Sequence, residues 1–225
     1  MNNRNACSFL QRFSCVLFGC IVLTFAKAHA QQTSSIKNER QHLQSTFEVV
    51  HIDLLQYLKL EIKTSTSDQV KIITRQHGEY RNAVVLTSIV RNDSLLITDP
   101  IHPSFTFPGD KLSVHKVVDG DAIIYIPRFK KVVLNTQNAD ITISGVFKNV
   151  YINQLSGSCK MNQIQGDLNY ISIYADVFIA LEKHDITSFS KSGKVSIFIK
   201  PTLVEFFASI ETVSGNISHI KKTNK

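Results

Sequence analysis

The chain is predicted to be all-β: a single-stranded parallel β-helix, right-handed, with an antiparallel N-terminal β part. Three observations predict it. From Phe47 onward the dominant hydrophobic period is two, as where Leu58, Leu60 and Ile62 alternate with Lys59, Glu61 and Lys63, the spacing of a half-buried strand. No stretch carries a capped helical period of 3.6. Beyond Pro127 a whole set of positions recurs after 18 residues: Phe129, Val132, Leu134, Gln137, Ile141 and Ile143 return as Phe147, Val150, Ile152, Leu155, Cys159 and Met161. With 225 residues, 43% of them hydrophobic, the chain can bury a core in one domain or two small ones. Nine Gly, five Pro and four Cys exclude collagenous, disordered and disulfide-scaffold classes.

At the N-terminus Arg4 and Arg12 precede an apolar run from Phe13 to Phe25, closed by Ala28-His29-Ala30; this reads as a signal peptide, residues 1–30. The run is short for a membrane span, which takes ~20 apolar residues. Cleavage after Ala30 is favoured over lipidation at Cys20, because a cut there would leave an apolar tail, Ile21–Phe25. Removal of residues 1–30 takes Arg4, Arg12 and Lys27 and no acid, lowering the charge from +7 to +4. That is an ordinary solubility charge and no nucleic-acid footprint. Cys7, Cys15 and Cys20 leave as well, so the exported chain keeps one thiol, Cys159, and forms no internal disulfide. A secreted chain of this kind fits a bacterial envelope: the periplasm, the outer-membrane surface or the extracellular space.

Residues 31–46 are polar and read as a linker. Residues 47–127 form the antiparallel part that caps the solenoid. Val84–Val90 and Leu95–Thr98 flank Arg91-Asn92-Asp93-Ser94, a hairpin signature. Lys111–Val118 and Ala122–Ile126 read as a second hairpin turning at Asp119-Gly120. Residues 128–225 carry the coils and a basic tail ending in Lys225. In the third round Val150 and Ile152 map to Ile171 and Ile173 at a shift of 21, while Cys159 maps to Val177 at 18. Val195, Ile197 and Ile199 make a fourth round, and an insertion around Pro201 displaces the last, Gly215–Ile220. Short strands repeating every 18–21 residues are too small to bury their own apolar side, and stacking at ~4.8 Å per rung solves this. A β-sandwich with evenly spaced strands is the rival arrangement. The hexapeptide rule of left-handed β-helices is absent, since steps of six from Ile141 meet Phe147 and then Asn153.

Several stretches carry a family likeness. Asp110-Lys-Leu-Ser-Val-His-Lys-Val-Val, the strand–proline junction Ile124-Tyr-Ile-Pro127 and coils ending in Ser-Gly or Lys-Ser-Gly-Lys-Val (191–195) follow a signal peptide and an antiparallel part. Together they resemble the adhesin-like β-helix proteins of Bacteroidota, over most of residues 47–220. The resemblance implies an envelope or surface binding module and brings no catalytic motif with it.

The residues themselves point the same way. The histidines His42, His51, His77, His102, His115, His184 and His219 show no metal-ligand spacing and read as surface or turn residues. Asp119-Gly-Asp121 lacks the further ligands of a calcium loop. Neither metal nor cofactor is expected. Asp140 and Asp176, two rungs or ~9.6 Å apart in a stack, have the separation of an inverting glycosidase pair, which defines an alternative reading as a polysaccharide-active enzyme. No Arg or His accompanies them, and Ser158 and Lys194 share their column, so no catalytic residue is assigned. Cys159 aligns with Ile141 and Val177 and is expected inside as a small hydrophobe. Tyr151, Tyr174, Phe178 and Phe198 alternate with inward residues and are expected outside, as candidates for stacking on a glycan or on another envelope protein. A structural periplasmic component without external ligand is the remaining alternative.

Overall fold

The computed structural model describes residues 36–42, 47–77, 82–106, 119–197, 201 and 203–220. Contacts divide the chain into Met1–Ser34 and Ser35–Lys225, and all of the described residues belong to the second unit. The signal-peptide reading, the Lys111–Val118 strand, the Asp110–Val118 motif, Phe198, Ile199 and the lysine tail all lie outside the described residues.

Among the described residues there is no helix, and 13 strands form one mixed sheet. The first seven are β1 (Ile36–His42), β2 (Val49–Asp53), β3 (Lys59–Ser65), β4 (Val70–His77), β5 (Thr87–Arg91), β6 (Ser94–Thr98) and β7 (Asp119–Pro127). Then come β8 (Lys131–Ser172), β9 (Asp176–Ala180), β10 (His184–Ser190), β11 (Val195–Ser196), β12 (Phe206–Thr212) and β13 (Ile217–His219). β8 holds 42 residues; drawn straight it would exceed ~130 Å. Its own segments instead lie beside one another 18 residues apart. The Lys148 amide donates to the Lys130 carbonyl at 3.0 Å, Asn153 Nδ2 to Asn135 Oδ1 at 2.9 Å and Ser158 Oγ to Asp140 Oδ1 at 2.7 Å.

Two parallel ladders result. In one, Val50 pairs with Leu95 and with Val132, and further along Leu168 pairs with Ala208 and Ala208 with Ile186. In the other, Leu60 pairs with Ala122 and with Ile141, Cys159 with Val177, and Ile217 with both Val177 and Val195. Most inward residues of both ladders belong to one buried cluster running from Phe47 to Ile217, with Ile186 partly buried against it, whereas Val195, expected inward, is exposed.

Several expectations change. Ile36–His42 is no linker: it pairs antiparallel with β4 over its whole length. Residues 47–127 are not antiparallel throughout, because β2, β3, β6 and β7 enter the parallel ladders. Among the described strands β1–β4, β4–β7 and β5–β6 run antiparallel, the last turning at Asn92 with φ +51°. Asp119-Gly120 is strand and makes no turn, since β4 pairs with both residues. Phe129 occupies the same bend as Phe147, but at φ +64° its ring points to solvent while Phe147 is buried. In the third round Tyr170 and Ser172 point inward and Ile171 and Ile173 outward. The 18-residue shift of the second round persists there, and hydrophobicity alone misplaces the register by one residue, which reverses every side chain.

The order of the rungs departs from the order of the chain. β2 and β3 lie between β6–β7 and β8, although β6 and β7 come later. At the other end β12 and β13 lie between β8–β9 and β10–β11. The expected adjacency of Val177 and Val195 therefore fails, because Ile217 stands between them. Glycine permits this insertion: a Cβ on Gly215 would collide with the Ala175 carbonyl, and one on Gly193 with the Gly215 carbonyl.

Candidate functional site

Inward chemistry is closed off. Cys159 is fully buried, and burial pushes its thiol pKa up, so it lacks the exposed, electropositive setting of a reactive cysteine. Tyr170 Oη donates to Gln154 Oε1 at 2.9 Å, and Gln154 Nε2 donates to the carbonyls of Ala139 at 2.6 Å and Ser156 at 2.9 Å. A second buried amide, Gln76, donates to Tyr57 Oη and to the Val84 carbonyl. Asp99 accepts the amides of Leu55 at 2.9 Å and Gln56 at 2.7 Å; burial raises its pKa while those amides oppose the rise. His184 is a correction to the surface reading: it is buried, packs its ring 5.3 Å from Phe206 and meets the Gly166 carbonyl at 3.0 Å through Nε2. Burial lowers its pKa.

Asp140 and Asp176 do fall two rungs apart on one column, with Ser158 between them. Asp140 accepts from Ser158 Oγ, and Asp176 accepts from the Asn216 amide at 2.7 Å and from Asn216 Nδ2 at 3.1 Å. Both carboxylates tie turns of neighbouring rungs together. Among the described residues no three His, Cys, Asp or Glu side chains gather as a metal site would require.

The outward face is where unusual side chains collect. Tyr151 is 39% exposed and Tyr174 62%, both outside as expected, while Phe178 is half-buried between Lys160 and Ser218 of the flanking strands. Tyr151 and Tyr174 do not form a ring pair. The lateral neighbour of Tyr151 is Asn169, 18 residues on, and Tyr174 lies five residues further along, where its amide meets the Leu155 carbonyl. Leu155, Ile173 and Val213 make an exposed aliphatic column across three adjacent rungs, and Ile171 lies beside it, paired with Glu211.

A ring that sequence reasoning passed over completes the face. Phe207 is 65% exposed, and its amide donates to Asp167 Oδ1 at 3.1 Å. It stands two rungs from Tyr151 and two residues back along the strand, where Ser209 holds the position in line with Tyr151; between the rings lies a cleft of about 280 Å³ lined by Asn149, Asp167, Asn169 and Ser209. Lys131 on the rung before holds its Nζ 4.8 Å from the centre of the Tyr151 ring, a cation–π contact that steadies the ring. Alternation in Phe206-Phe207-Ala208 was a signal for an outward Phe207. Its neighbours were not legible, because β12 lies 40 residues from the strand it joins.

The sequence matches no family model and no curated protein. Among solved structures, a putative cell adhesion protein from Clostridium sporogenes is similar with a TM-score of 0.58 at 12% identity, over 84% of this chain and 100% of that one. A putative adhesin from Bacteroides fragilis gives a TM-score of 0.41 at 13% identity, over 85% and 100%. For a putative adhesin from Parabacteroides distasonis the TM-score is 0.32 at 7% identity, over 84% and 98%. The chain shares its all-β fold with the first of these.

Proposed function

We propose that the chain is an exported, non-enzymatic, adhesin-like binding module of the cell envelope, built as a right-handed parallel β-solenoid. The observation that carries this reading is the outward face. Large apolar and aromatic side chains stand exposed there on strands whose opposite side chains are locked in the core. Contiguous exposed apolar surface on a soluble domain marks an interaction site. A rigid ladder loses little conformational freedom when it binds, which favours recognition by shape. In-register contacts every 18 residues support the solenoid, and the fold shared with the putative cell adhesion protein of Clostridium sporogenes accords with an adhesive role. Hydrogen bonds engaging both Asp140 and Asp176 support a structural use of those carboxylates.

Protease shaving of intact cells, followed by immunodetection, tests the reading. Loss of the protein together with loss of cell attachment is the expected result. Protection from protease in intact cells, with sensitivity only after the outer membrane is opened, would contradict surface display.

A further inference from the structure

We propose that the cleft between Tyr151 and Phe207 is a binding subsite for neutral pyranose sugars, an assignment that rests on the adhesin reading and names its ligand class. The walls are two exposed aromatic rings and the floor is polar. Such a pairing suits a sugar, whose C–H face packs on a π-face while its hydroxyls need donors and acceptors at fixed places. Asn149, Asp167, Asn169 and Ser209 supply both kinds within one cleft.

The floor is held in place before any ligand arrives. Asp167 accepts from Asn149 Nδ2 at 3.5 Å through one oxygen and from the Phe207 amide at 3.1 Å through the other. Each oxygen retains a further lone pair for a hydroxyl, and a charged acceptor makes the stronger hydrogen bond. Tyr151 is steadied by Lys131, and Phe207 sits on a strand paired on both sides. Asp185, the lateral neighbour of Phe207, is exposed beside the cleft. Two carboxylates against the one lysine bound to Tyr151 disfavour sugar acids, which restricts the ligand to neutral glycans. The rings are offset by two rungs, ~9.6 Å, and by two residues along the strand, ~6.6 Å, hence about 12 Å apart on a diagonal, so a chain of sugars would run obliquely to the strands and touch the two rings with different units.

The test applies the exported protein to a printed array of neutral and acidic glycans and titrates the best neutral oligosaccharide by calorimetry. Tyr151→Ala and Phe207→Ala are each expected to weaken Kd about threefold to tenfold, and Asp167→Asn about tenfold. Phe207→Tyr should keep binding near wild type, and Ile89→Ala, an exposed position on β5 remote from the cleft, should leave Kd unchanged. All five variants should melt as wild type does. A blank array, binding of acidic glycans only, or neutral-glycan binding untouched by Tyr151→Ala and Phe207→Ala would each overturn the assignment. Cells that attach through this protein to a surface stripped of glycans would also overturn it, assigning the face to a protein partner while the adhesin reading stands. Neutral-glycan binding by a protein never exposed on cells would support the subsite and defeat the adhesin reading alone.

Discussion

Tyr170→Phe isolates one hydroxyl in the core and thereby tests the register on which the outward face depends. Tyr170 is fully buried, and its hydroxyl supplies a hydrogen to Gln154 Oε1 at 2.9 Å. Removing it leaves that amide oxygen buried and unpaired, at a cost of about 1–3 kcal/mol. For a domain of this length each kcal/mol moves the midpoint by roughly 2–4 °C, so the melt should fall by roughly 2–12 °C. Tyr170→Ala, which also empties a ring-sized volume, should cost about 3–5 kcal/mol. Ile171→Ser should cost under ~1 kcal/mol, because Ile171 is 49% exposed and only strand preference is lost. The double variant Tyr170→Phe/Gln154→Leu should be more stable than the sum of its single changes, by roughly 0.5–3 kcal/mol of coupling. Guanidinium titrations with a common m value measure all of these. A larger loss for Ile171→Ser than for Tyr170→Phe would refute the register and turn the proposed binding face inward.

The core makes three further outcomes measurable. Cys159 should resist a thiol reagent in the native state and react on unfolding; Cys159→Lys should cost ~3–5 kcal/mol as a buried unpaired charge, and an unchanged melt would place residue 159 outside. Gly157 has φ +102°, and a Cβ on it would strike the Ala139 carbonyl one rung away. Gly157→Ala should therefore lose ~2 kcal/mol or more, read as faster amide exchange across β8, and wild-type exchange would argue against that packing. Because burial depresses the pKa of His184, the folded state disfavours the imidazolium. Its stability contribution is complete above the unfolded value of ~6.5 and declines as pH falls through the lowered one. The raised pKa of Asp99 works oppositely, stability falling as pH rises from ~4 toward that value. His184→Gln should flatten the fall of the melting midpoint as pH drops below about 6.5 relative to wild type, and an unaltered slope would assign the pH dependence to other groups.

What the sequence disclosed was local. Val150, Ile152, Cys159, Met161, Val177 and Ile179 are all buried, because alternation and a constant 18-residue shift depend only on strand geometry and the length of a turn. The register slips at Tyr170-Ile171-Ser172-Ile173, where composition points one way and a buried hydrogen bond the other. An isoleucine is more apolar than a tyrosine, but Gln154 had already entered the core and needed a partner for its oxygen. Phe207 escaped for a different reason. Its neighbours are chosen by the insertion of β12 between β8 and β10, and no run of residues near position 207 encodes which two strands will flank it.

That insertion, and its counterpart at β2–β3, decides how the molecule bears load. In a coil stack that follows chain order, the terminal coil is an edge, and tension on a terminus peels it one rung at a time. Here β12 and β13 are clamped between β8–β9 and β10–β11, and β2 and β3 between β6–β7 and β8. Pulling on the N-terminal side strips β1 from β4 and then meets a strand hydrogen-bonded on both flanks. Its parallel bonds must slide together, because none can open alone like a zipper tooth. A protein tethered at one end and gripped on its face would resist traction through the rate at which that whole interior rung lets go, a kinetic strength separate from equilibrium stability.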